Sequence, residues 1–242
     1  MNNLQIKKYL FCAIDFKRMD HSEKILSIIK NHIGGIKLGL EFFISNGPEG
    51  VKYLKKLKLP IFLDLKLHDI PNTVNEALNA ALELEPEYIS VHINGGKDMM
   101  NLISKNKRIK STKIIGITML TSLDREDLID MGINLNPTEY VKKLAQLAFD
   151  SGLNGLVCSP MEVKTIKKMF PNNFTLITPG IRLESGNAIN DQKRTLSPGD
   201  AVKYGSDILV IGRPITKSKN PLLAVNKVTN DIIKKNRHVC KG

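Results

Sequence analysis

Asp64 and Lys66 stand two residues apart inside the apolar run Ile61-Phe-Leu-Asp-Leu-Lys-Leu-His-Asp-Ile-Pro-Asn-Thr-Val74, and a second acid, Asp69, follows three residues later. A strand points residues i and i+2 to one face, so a strand over 61–66 presents Asp64 and Lys66 side by side. Phe62 and Leu65 would help to bury their surroundings. A carboxylate and an ammonium in an apolar strand are unfavourable unless they are paired and used. Lys37, in the run Gly35-Ile-Lys-Leu-Gly39, adds a further cation of a type rarely buried without a partner. Two lysines and two aspartates of alternating sign read as a constellation for moving protons or steadying charge, more than as a structural staple. The strand would end near His68, and Pro71 suits the first turn of a following helix. Asp69 would then stand at the C-terminal mouth of the strand, where parallel α/β folds place their chemistry.

The elements that must position these residues form a repeating pattern. Eight short apolar runs, at 9–15, 35–40, 61–66, 88–93, 113–119, 155–159, 175–180 and 208–211, are apolar along their length instead of strictly alternating, as parallel strands covered on both faces should be. Helical spacing marks 22–32, 73–84, 138–150 and 222–235, the last two opening at Pro137 and Pro221. Eight strand–helix units in 242 residues match a (β/α)8 barrel, the TIM-barrel α/β class, in count and length. An open doubly wound sheet fits less well, because the first run leads into Asp15-Phe-Lys-Arg18 and not into a glycine-rich dinucleotide loop. No Pro/Gly/Ser-rich linker divides the chain, so 1–242 reads as a single barrel domain, with the tail 237–242 a candidate for disorder. The longest irregular stretch, 181–197, would overhang the active face.

A barrel of this kind carries function at the C-terminal ends of its strands. Asp15 ends the first run, His92 and Asn94 the fourth, Thr118 and Thr121 flank the fifth, Ser159 ends the sixth, and Arg182 follows the seventh. Taken singly, each has a plainer reading as a cap or a satisfied hydrogen-bonding group. His92 reads best as a satisfied core histidine, and Ser159-Pro160 as an N-cap with proline at N1. Gly212-Arg213 after the eighth run suggests phosphate: glycine lets backbone N–H groups approach an anion, and arginine can fork onto its oxygens. Loops after the seventh and eighth strands are the usual phosphate grip of this barrel.

Composition excludes several classes. Apolar residues make up 42%, ordinary for a globular domain, and no stretch approaches the length of a membrane span. The N-terminus shows no signal-like apolar segment, so a cytoplasmic protein is expected. Three cysteines, Cys12, Cys158 and Cys240, without regular spacing argue against a disulfide framework or a zinc site, and no metal is expected. The net charge of +12 raises nucleic acid as a partner, but the lysines are scattered over helical faces and not interleaved with aromatics. A basic nucleic-acid-binding module would also have no use for a buried Asp64–Lys66 pair.

The segment Asp64-Leu-Lys-Leu-His-Asp-Ile-Pro-Asn-Thr73 resembles the signature of the orotidine 5'-phosphate decarboxylases, in particular their bacterial branch. The other blocks follow in order along the chain: Ala13-Ile-Asp15, Lys37-Leu-Gly39, Thr118-Met-Leu-Thr-Ser122, Thr178-Pro-Gly-Ile-Arg182, Asp191-Gln192 and Val210-Ile-Gly-Arg-Pro-Ile-Thr216. The resemblance implies a homodimer of (β/α)8 barrels with no cofactor, acting on orotidine 5'-monophosphate. It implies Lys66 as proton donor in a network of Lys37, Asp64 and Lys66, with Asp69 contributed by the partner subunit. It assigns Asp15 to ribose hydroxyls, with Thr73 reaching across from the partner. Thr121 is assigned to the pyrimidine, and Arg182, Gln192, Gly212 and Arg213 to the phosphate side. A related barrel enzyme that acts on sugar phosphates with Mg²⁺ shares an Asp-x-Lys-x-x-Asp motif, but Lys37 places positive charge where a metal would sit.

Overall fold

The eight apolar runs are strands because they are buried on both sides, by helices outside and by each other inside. A computed structural model describes residues 3–171, 174–183 and 194–236. Its parallel strands pair in sequence order and close into a barrel: β1 Leu10–Ala13, β2 Gly35–Leu38, β3 Ile61–Leu67, β4 Tyr88–His92, β5 Lys113–Ile117, β6 Gly155–Val157, β7 Thr175–Thr178 and β8 Ile208–Ile211. Closure is made by β1 against β8, with Phe11 opposite Val210. The (β/α)8 expectation holds. Several strands stop earlier than their apolar runs: Asp15 lies two residues beyond β1, and Leu40 opens a helix instead of ending β2.

Helices α1 Asn3–Lys7, α2 Met19–Ile29, α3 Leu40–Lys55, α4 Pro71–Leu82, α5 Gly96–Ser104, α6 Arg125–Asp130, α7 Pro137–Asp150, α8 Val163–Met169, α9 Pro198–Tyr204, α10 Arg213–Thr216 and α11 Pro221–Lys235 complete the described chain. Proline supplies the first turn of α4, α7, α9 and α11, where its missing N–H is no loss. Asn136, Ser197 and Asn220 cap the last three by accepting backbone N–H groups. The helix expected over 73–84 therefore starts at Pro71, and that over 22–32 ends in a tighter 3-10 turn, Lys30–His32. Helix α3 is hard to read from sequence because Gly47-Pro48 interrupts it, with Gly47 in the left-handed region at φ 61°.

Two apolar layers result. The outer one packs Ile36, Leu63, Ile89 and Leu209 of the strands against Phe42, Leu78, Val141 and Val228 of the helices. The inner one fills the barrel with Phe11, Ala13, Phe62, Ile115, Ile177, Ile208 and Val210. Phe62 and Leu65 thus serve opposite sides: Phe62 is inside the barrel, and Leu65 packs against the outer layer. Truncating an inner aromatic such as Phe62 to alanine would cost about 3–5 kcal/mol.

Candidate active site

At the C-terminal ends of the strands the inner layer stops and a cavity of about 530 Å³ opens, floored by Phe62, Ile117, Val157 and Val210. Asp64 and Lys66 of β3 line it, together with Lys37 of β2 and Asp15 beyond β1. Asp64 is only 6% exposed. Its Oδ2 accepts from Lys66 Nζ at 2.7 Å and lies 3.7 Å from Lys37 Nζ. Lys37 Nζ also donates to Asp15 Oδ1 at 3.0 Å. The charges alternate Asp15, Lys37, Asp64, Lys66 across three neighbouring strands. Burial alone would raise the Asp64 pKa, but Lys37, Lys66 and hydrogen bonds from Lys66 and Ser90 outweigh it and hold the carboxyl below its usual range. Asp64 is therefore an anion at neutral pH.

Asp64 and Lys66 meet, but not through the regular pleat that their spacing suggests. Between Leu63 and Leu67, β3 advances four residues while β4 advances two, from Ile89 to Val91. The bulge puts Lys66 at φ 52°, in the left-handed region that disfavours a side chain. Its backbone N–H donates to Ser90 Oγ at 2.8 Å, and that hydroxyl donates to Asp64 Oδ1 at 2.8 Å. One buried serine of β4 thus holds both the bulge and the carboxylate. Sequence reasoning missed Ser90; its inner-face register with Tyr88 in β4 was the signal available. It also missed the spatial reason for Gly39, where a Cβ would lie 2.5 Å from Lys37 Nζ and 2.8 Å from Asp15 Oδ1. Glycine leaves room for that ion pair.

The rest of the rim carries the other expected residues. Thr121 lines the cavity on the β5 side, Arg182 on the β7 side, and Gly212 and Arg213 on the β8 side. Arg182 Nη1 donates to its neighbour's carbonyl, Ile181 O, at 3.0 Å. Gln192 and the tail 237–242 lie outside the described residues, as do most of 181–197. The described stems of that stretch are tied together, Arg182 N donating to Leu196 O and Leu196 N to Gly180 O.

Asp69 and Thr73 do not line this cavity. Both are exposed, and Asp69 Oδ1 accepts from Ile70 N at 2.7 Å. Thr118 is turned to structure, its hydroxyl donating to Val157 O, and Asn94 Oδ1 accepts from Tyr140. Ser159 is no helix cap: α8 begins later, at Val163 behind Glu162, and the Ser159 hydroxyl accepts from Met161 N within a turn. His92 departs from a satisfied core histidine. Its ring lies 5.3 Å from that of His68, and its buried Nδ1 has no hydrogen-bond partner among the described residues. Burial, His68 and Lys66 lower its pKa, so the imidazole is neutral. Cys158 lines the cavity too, but burial pushes its pKa far up, which leaves a protonated thiol and no nucleophile. Among the described residues, no group of three or more His, Cys, Asp or Glu side chains could hold a metal ion, and no helix is long and apolar enough to cross a membrane.

The fold and site define a (β/α)8 barrel with an alternating-charge array at one wall of its mouth and arginines at another. The sequence profile of the orotidine 5'-phosphate decarboxylase / HUMPS family matches residues 8–228, and the chain belongs to that family. An orotidine 5'-phosphate decarboxylase of Sphingopyxis alaskensis is 47% identical over 219 residues, covering 90% of this chain and 96% of that one. The enzyme of the same name from Ehrlichia canis is 41% identical over 223 residues, covering 92% and 97%. The crystal structure of orotidine 5'-phosphate decarboxylase from Lactobacillus acidophilus superposes with a TM-score of 0.77 at 31% identity, covering 92% of this chain and 98% of that one.

Proposed function

We propose that the protein decarboxylates orotidine 5'-monophosphate to UMP and CO2, the last step of de novo pyrimidine nucleotide synthesis. The observation that carries this reading is the Lys37–Asp64–Lys66 array on the cavity wall, centred on the buried Asp64. Breaking the bond from C6 to the carboxylate leaves an electron pair in an sp2 orbital that the pyrimidine ring delocalises poorly. A fixed cation beside C6 is what such a step needs, since preorganised charge in a dry site is strongly stabilising. Lys66 supplies it. As CO2 departs, the electron pair stays on C6 and takes a proton from the Lys66 ammonium, giving UMP and a neutral amine that regains its proton from solvent. Asp64 holds the Lys66 and Lys37 ammonium groups in place, aided by Asp69 of the partner subunit, and Asp15 faces the ribose hydroxyls while paired to Lys37.

On the far rim Arg182, Gly212 and Arg213, with Gln192, grip the phosphate, and Thr121 meets the pyrimidine. Binding energy at the phosphate can then be used to orient the reacting end. Asp69 and Thr73 act in the neighbouring barrel of a homodimer. Ile70 between them is 67% exposed, which supports a face that a second chain covers. The protein works in the cytoplasm without a cofactor. The direct test follows the absorbance of orotidine 5'-monophosphate with purified protein in excess chelator. Undiminished loss of substrate is expected; activity that appears only on adding Mg²⁺ would point instead to the sugar-phosphate enzymes.

A further inference from the structure

Between β5, β6 and β7 lies a second buried charge pair that the proposed chemistry does not use. Glu162, 2% exposed, receives a hydrogen bond from Arg194 Nη1, and the Arg194 side chain is itself only 13% exposed. Burial raises the Glu162 pKa and Arg194 opposes the rise. A buried pair of this kind contributes little net stability, because desolvation offsets the attraction. Its geometry gives it another use. Arg194 Nη2 reaches the carbonyls of Leu120, at 3.2 Å, and Met119, at 3.5 Å. The next residue is Thr121, and Met119, Leu120 and Thr121 all line the cavity.

Gly180 marks the same junction independently. It sits at φ 76°, and a Cβ there would lie 2.8 Å from Arg194 O, 3.5 Å from Pro160 Cδ and 3.8 Å from Thr121 Cγ2. The loops after β5, β6 and β7 therefore converge on one point, with the Arg194 guanidinium as the group that bonds to the other two.

We propose that Arg194 is a positioning residue: oriented by Glu162, it fixes the Met119–Leu120 backbone so that Thr121 faces the base, and so links base recognition to the β7 stem that carries Arg182. This rests on the nucleotide reading given above. Lysine cannot replace the guanidinium here, since one point charge cannot serve a carboxylate and two carbonyls in a fixed plane.

The test uses Arg194→Lys and Glu162→Gln, both conservative enough to keep the fold, which circular dichroism and thermal unfolding verify. Binding of UMP and of ribose 5-phosphate, which has no base, is measured for each variant and for wild type. UMP affinity should fall about 10-fold in Arg194→Lys, the scale of a lost charge-assisted hydrogen bond, and ribose 5-phosphate affinity should stay within about 2-fold. Glu162→Gln should show the same pattern more weakly. A purely structural role would leave the UMP preference over ribose 5-phosphate intact, and an unchanged preference in Arg194→Lys would overturn the inference alone. A wild-type chain with no preference for UMP would overturn the nucleotide reading and this inference with it.

Discussion

The barrel has a cavity at each end, about 530 Å³ where the strands finish and about 600 Å³ where they begin, and lysines and acids line both. At the beginning of the strands, the charges that find partners do so locally and separately. Lys113 lies 5.6 Å over the Tyr88 ring, and Asp207 pairs with Lys167 at 2.9 Å while accepting from Leu176 N. At the finish, one buried carboxylate is shared by two lysines and a serine, on a strand bent out of register to allow it. Cavity size therefore says nothing about which end reacts. What separates the two is coupling: charges that share partners in a dry place are expensive to assemble and are kept where charge must be managed.

Substitutions at the two ends should behave in opposite ways. The largest effect is expected for Lys66→Ala, with turnover lowered at least about 10³-fold, the scale of a lost general acid and its charge, while circular dichroism stays that of the wild type. Near-normal turnover would remove Lys66 from the chemistry. Mixing Lys66→Ala with Asp69→Ala chains should restore activity in heterodimers, and none in verified heterodimers would argue for sites built within one chain. Next, Arg213→Ala should raise KM for orotidine 5'-monophosphate about 10²-fold and leave phosphate-free orotidine nearly untouched. Equal losses on both substrates would withdraw the phosphate assignment.

Ser90→Ala should cost about 1 kcal/mol and about 10-fold in rate. It also has a pH signature. The folded-state pKa of Asp64 is depressed, so its contribution to stability is present above the ordinary carboxylate range and is lost as pH falls through the lowered value. Removing the Ser90 hydrogen bond should move that acid edge upward, and an unmoved edge in acid unfolding would mean the hydroxyl does not steady the anion. The smallest effect belongs to the other end. Lys113→Ala should change stability by less than about 1 kcal/mol and turnover not at all. A clear fall in turnover would erase the contrast between the two ends.

Much of this was legible in the sequence, for identifiable reasons. Short runs apolar on both faces announce parallel strands, and eight of them announce the barrel. Asp64, Lys66 and Lys37 stand out because a charge within an apolar run has few innocent explanations. Ser90 does not stand out, since a serine on the inner face of a strand looks like any other. The β3 bulge is invisible because its left-handed residue is a lysine, not the glycine or asparagine that usually signals such a turn. Arg194 and Glu162 are 32 residues apart and become partners only through the fold. The assignment of Asp69 and Thr73 to a partner's site followed from the resemblance alone, because no property of a single chain requires it.

The backbone at Lys66 constrains which residues position 66 can hold without strain. Most side chains there carry a conformational penalty, asparagine and aspartate the least, and lysine offsets it by reaching Asp64. Glycine is free of the penalty. Glycine there would relieve the backbone but take from the buried Asp64 carboxylate its shortest ion pair, so the two effects oppose each other. Lysine at residue 66 thus stands where the backbone favours glycine, and its ion pair with Asp64 offsets that strain.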